Sequence, residues 1–182
     1  MPGTWSHLAA RFVDVAAARP LDSDELAWVE GRLTDSERLA FVTQSRADQR
    51  HGHDAGRHVE AHGGSGIEVR AALLHDIGKR HARLGLLGRT WASLAIRLRL
   101  PLWARARIYR DHGPLAAVEL ERWGAETLVV DFARHHHGRR PRTIEPPVWQ
   151  RLEDSDRVTV FHRKAGGHDQ NRPMREPGTW RP

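Results

Sequence analysis

The run Ala71-Ala72-Leu73-Leu74-His75-Asp76-Ile77-Gly78-Lys79 places an adjacent histidine and aspartate near the end of an apolar stretch with helical spacing. Neighbouring side chains on a helix diverge by about 100°, so the pair shares no face, yet both can reach one cation lying beside the helix. The imidazole offers a neutral nitrogen, and the carboxylate can bridge two cations. Burying such a pair in so apolar a helix is costly unless a cation or a partner satisfies it. Thirteen histidines in 182 residues make this the most informative feature of the composition. The chain has no cysteine. That excludes a disulfide framework, thiolate zinc sites, iron–sulfur clusters and a cysteine nucleophile.

The elements that must position these groups read as helices, and nothing alternates with period two for long enough to form a strand. A first helix is expected over Ser6–Ala18, packing Leu8, Phe12, Val15 and Ala16 and stopping at Arg19-Pro20. A second starts near Ser23 as N-cap, with Leu26, Trp28 and Val29 inward. Thr34 and Glu37 form a capping box ahead of Leu39, Phe41 and Val42. Further helices are expected over Ala47–Ala61, Ile67–Ile77, Pro114–Trp123, Glu126–His137 and Pro147–His162. The stretch Arg80–Arg110 reads as irregular and basic, broken by Gly85, Gly88 and Pro101. Residues 163–182 are rich in Gly, Pro and Arg and read as a disordered tail.

The His75–Lys79 segment resembles the HDIGK-type core of the HD-domain metal-dependent phosphohydrolases letter for letter. The resemblance extends over about residues 46 to 160. Arg50-His51 resembles the family's upstream Arg-His, 24 residues before His75. Downstream stand Arg110-Asp111-His112, the triplet His135-His136-His137, and Leu152-Glu153-Asp154-Ser155-Asp156. Gly52 stands where the family usually has Ser, and Gly113 separates His112 from Pro114 where it usually reads His-Pro. The resemblance implies an all-α, HD-type helical bundle over residues 46–162, with a helical lead-in over residues 1–45 and a basic insert at about 80–110. It implies the six-ligand, two-metal variety. His51, His75, Asp76 and Asp156 would hold one cation, with Asp76 bridging, and His112 and His136 the other. His135 stays open as an alternative to His136, and Asp154 as one to Asp156. His58, two turns after His51, is a candidate to line the site. The other histidines His7, His53, His62, His81, His162 and His168 read as structural.

Nitrogen with carboxylate ligands suits divalent Mn, Fe, Co, Ni or Zn better than Mg or Ca. The family's activity then implies hydrolysis of a phosphomonoester or phosphodiester, with nucleotides among the candidate substrates, by a metal-activated water, with Asp76 and Lys79 as catalytic residues. Lys79 lies one turn after His75 and could hold a phosphate as a point charge. Some relatives with the same six ligands are di-iron oxygenases, and a binding module that retains the site is a third reading. The ligands define the metals and not the substrate.

A chain of 182 residues suits one domain and buries roughly 70% of its unfolded surface. Its net charge is +6. All basic residues but Lys79 and Lys164 are arginines, scattered without a single stripe, so no stable nucleic-acid complex is expected. The start has neither a basic cluster nor a long apolar run, so a cytoplasmic location is expected. Leu84–Trp103 holds three arginines and Pro101 and should not span a bilayer. Its leucines and Trp103 alternating with arginines read most simply as a surface helix pair covering the core. A lid over an anionic substrate and a weak membrane-surface contact at about 91–107 are the functional readings of the same stretch.

Overall fold

A computed structural model describes residues 18–158. The expected Ser6–Ala18 helix and the 163–182 tail lie wholly or almost wholly outside them, as do His7, His162 and His168, whereas the last helix, expected to run to His162, ends within them at Asp156, where Arg157 caps it. Among the described residues the fold is all-α. The helices are α1 (Ser23–Glu30), α2 (Asp35–Val42), α3 (Arg46–Ala61), α4 (Gly66–Leu74), α5 (Leu86–Arg97), α6 (Ala104–Arg110), α7 (His112–Arg122), α8 (Thr127–His135) and α9 (Pro146–Asp156). A 3-10 helix, Ile77–Ala82, follows α4.

Helix α4 is the centre because its sequence is apolar almost all round, and such a helix must be enclosed on every side. Val69, Ala71, Ala72, Leu73 and Leu74 are all buried. Helices α2, α3, α8 and α9 pack around it, and α7 packs on α8 and on the 3-10 helix. Phe41, Val59, Leu120, Phe132, Ile144 and Leu152 complete the core. Local chemistry sets the starts. Ser65 and Glu68 form a capping box at α4, where Glu68 Oε1 accepts from the Ser65 N–H at 3.2 Å. Pro146 and Pro147 open α9, where a missing N–H costs nothing.

The structure differs from the sequence expectations at several ends. Asp22, not Ser23, caps α1, accepting from the N–H groups of Asp24 and Glu25. Leu39 and Val42 are exposed on α2, and the interior takes Ala40, Phe41 and the fully buried Glu37, whose carboxylate pairs with Arg70, instead. The helix carrying the His-Asp pair stops at Leu74, three residues before its expected end. Winding tightens from α to 3-10 across His75 and Asp76, where hydrogen bonds run to the third residue instead of the fourth. The stretch expected to be irregular forms the two helices α5 and α6, joined through Pro101.

Candidate metal centre

Six expected residues converge from five elements. His51 comes from the middle of α3, His75 and Asp76 from the junction of α4 with the 3-10 helix, His112 from the start of α7, His136 from the residue after α8, and Asp156 from the end of α9. Asp76 lies at the middle and is 2% exposed. Its Oδ1 lies 3.0 Å from His112 Nε2 and 3.6 Å from His136 Nε2. Its Oδ2 lies 3.4 Å from His75 Nε2 and 3.8 Å from His51 Nε2. Asp156 Oδ1 is 3.2 Å from both His51 Nε2 and His75 Nε2. One carboxylate thus turns one oxygen to each of two histidine pairs.

Three of the rings are fixed by the same device. The Nδ1–H of His75 donates to Ala72 O at 2.7 Å, that of His112 to Tyr109 O at 2.6 Å, and that of His136 to Ala133 O at 2.8 Å. A carbonyl can only accept, so the proton sits on Nδ1, and in the neutral ring Nε2 presents a lone pair to the centre. Burial, then the nearby Lys79 ammonium, pushes the His112 pKa down against the pull of Asp76. His112 Nε2 and His136 Nε2 face each other at 3.2 Å. Two lone pairs at that separation repel unless a proton or a cation lies between or beside them. Asp76 Oδ1, buried against the same nitrogens, has no hydrogen-bond donor. This orphaned acceptor among inward-facing nitrogens is the donor set a transition-metal cation takes up.

The electrostatics agree. Burial works against ionisation of Asp76, and the Lys79 ammonium, then His75, outweigh it and hold the carboxyl well below the usual range. Asp156 is likewise held down, because contacts with His51 and His75 exceed its own burial cost. Lys79 is buried and ion-paired with Asp76 Oδ2. It therefore sits on the Asp76 carboxylate itself, whereas the sequence suggested only the same side of the helix.

Two glycines let the elements approach. A Cβ on Gly78 would lie 2.0 Å from His112 O, and one on Gly113 would lie 2.6 Å from Ala133 O. Backbone contact at Gly78 brings the start of α7 to Asp76, and contact at Gly113 brings it to the end of α8. Glycine at 113 thus has a packing reason in this chain.

His135 stands outside the converging set. The further member is His137, whose ring lies 5.0 Å from His112 and 4.0 Å from His136 between centroids. It was missed although the triplet contained it. His137 keeps an outer face in solvent, while burial of the remainder, then His136 and His112, lowers its pKa. His58 does not line the centre: it stacks on His62 at 4.0 Å. Asp154 accepts from Gln150 and Arg157 on the outer face of α9. His53 bonds Asp54, and His81 lies 3.1 Å from Glu119 Oε2.

The chain matches no family model, no curated protein and no solved structure. Fold and site stand on their own geometry: an all-helical protein with a buried His/Asp cluster within metal-binding distance.

Proposed function

We propose that the chain is a metal-dependent phosphohydrolase of the HD superfamily, acting on a phosphomonoester or phosphodiester. One observation carries the reading: the two oxygens of Asp76 each face their own pair of histidine nitrogens, in a segment reading His-Asp-Ile-Gly-Lys. In this reading His51, His75 and Asp156 hold one divalent cation, His112 and His136 hold a second, and Asp76 joins them. Such cations supply an acidified water and charge neutralisation at a phosphoryl oxygen. The side chains do the rest. The Nδ1 bonds to Ala72, Tyr109 and Ala133 keep the rings from turning and fix their ligand tautomer. Lys79 keeps a positive charge beside Asp76, where non-bridging phosphate oxygens meet it as charge shifts in the transition state.

The test is anaerobic hydrolysis of a generic phosphodiester and of nucleotides by protein loaded with Mn or Co. Turnover without oxygen is expected, and Lys79→Ala should lower it roughly 10²-fold while metal content stays unchanged. Turnover only with iron and oxygen would select the oxygenase chemistry instead. No turnover under either condition would leave a binding module as the better reading.

A further inference from the structure

Helix α5 has a second apolar stripe that the fold does not use. Leu87, Trp91, Leu94 and Leu98 recur at i, i+4, i+7 and i+11 and so lie along one line of the helix. The core-facing contacts of this helix are made by the small residues Ala92 and Ala95. Leu87 is 69% exposed, Trp91 65% and Leu98 55%. The turn that follows, to the start of α6, continues the surface with Leu100 and Trp103, both exposed. The sequence suggested that Leu94, Leu98, Leu100 and Trp103 cover the core, yet of these only Leu94 is half-buried and the other three are exposed.

This apolar tip sits in a belt of one sign. From Ile77 to Arg110 the chain holds nine basic residues and no aspartate or glutamate. Arg97, Arg99 and Arg105 are exposed beside the tip, and no carboxylate pairs with them among the described residues. The tip is firmly mounted. Arg89, on the same helix, is largely buried and donates to Asp48 Oδ1 at 2.6 Å and to Leu84 O at 3.0 Å. The Leu100 N–H bonds Ala95 O at 2.9 Å, closing the turn.

We propose that the α5–α6 tip is a docking surface for an anionic lipid membrane. Indole rings and leucines enter the boundary between headgroups and acyl chains, while surrounding arginines meet anionic headgroups and keep their stems along the apolar surface. Charge decides among occupants. A second copy would bring an equally basic, acid-free surface against this one. Nucleic acid would satisfy the arginines and leave the leucines with nothing to pack on. The membrane surface offers the apolar and the anionic partner together. This inference does not depend on the chemistry of the metal centre.

Sedimentation of the full chain with vesicles tests it. Vesicles of equal parts phosphatidylcholine and phosphatidylglycerol should carry the protein down, and phosphatidylcholine alone should not. Binding should weaken with added salt. Trp91→Ser with Trp103→Ser should abolish it. Arg97→Glu with Arg105→Glu, which leaves the apolar tip intact, should lower partitioning by roughly tenfold or more. Circular dichroism identical to wild type shows that each variant is folded. No sedimentation with the anionic vesicles, or partitioning of both folded double variants equal to wild type, overturns the proposal. A dimer in solution that the tryptophan variant dissociates also overturns it in favour of a second copy. So does binding to duplex DNA that the arginine variant abolishes while vesicles leave the protein in the supernatant.

Discussion

His135 and His136 are neighbours in the chain, and only the second turns its ring to the centre. The choice was not legible beforehand. One residue of register rotates a helical side chain by about 100°, and helix ends are uncertain by one or two residues. What settles it is that α8 ends at His135, so that the Nδ1 of His136 reaches back to Ala133 O. His136→Ala should therefore lose about one equivalent of metal, and His135→Ala should retain the wild-type amount, by elemental analysis of each variant. The His75-Asp76 pair, by contrast, was legible from its apolar context alone, because two such groups have no inexpensive reason to be buried there. The placement of Lys79 on Asp76 was not, since it depends on the switch to 3-10 winding after Leu74.

At the scale of elements, the helices around the centre could be read from caps and apolar spacing, while their contacts could not. Nothing local to Gly78 or Gly113 announces that each lies against another backbone. Gly78→Ala should show the dependence most sharply, because its Cβ would meet His112 O at 2.0 Å, a rigid main-chain atom. Overpacking of that kind costs roughly 1–3 kcal/mol, so the melting temperature should drop by roughly 5 °C. The start of α7 would be displaced from Asp76, so metal content should fall as well, which a purely structural glycine elsewhere would not cause. Gly66→Ala is the control, since nothing lies within 4 Å of its would-be Cβ. It should leave metal content unchanged.

For the whole molecule, long-range ion pairs tie the lead-in helices to the bundle. Arg50 on α3 holds Glu25 on α1 through two bonds, Nη1 to Oε1 at 2.5 Å and Nη2 to Oε2 at 2.7 Å, and also donates to Pro20 O at 2.8 Å. Arg70 on α4 similarly joins Glu37 and Glu126. The hydrogen bond from Arg50 is the largest influence on Glu25. With help from the Asp22 N–H and against burial, it lowers the carboxyl from 4.5 to about 2. A depressed carboxylate stabilises the fold above its unfolded pKa and loses that contribution as pH falls through the folded value. Glu25→Gln should therefore be less stable than wild type by at most about 1 kcal/mol at neutral pH, because water screens this partly exposed carboxylate. The gap should narrow as pH falls from 4.5 towards 2, measured by urea unfolding across that range. These pairings span more than twenty residues of sequence, and a single chain gives no sign of which arginine meets which glutamate.

A cation bound only to the folded state adds stability by mass action. Chelation should accordingly lower the melting temperature, and Mn or Co added back should restore it. A melting temperature that ignores both would mean that the facing nitrogens hold no ion.

The most direct measurement is the metal content of the full chain purified without chelators and then exposed to Mn, Fe, Co or Ni, counted per chain beside Asp76→Asn. Two histidine pairs on opposite oxygens of one carboxylate should bind close to two ions in the wild type, and the Asp76→Asn protein should lose most of them. Wild-type protein that stays metal-free under all four conditions would contradict the assignment of this cluster as a metal centre.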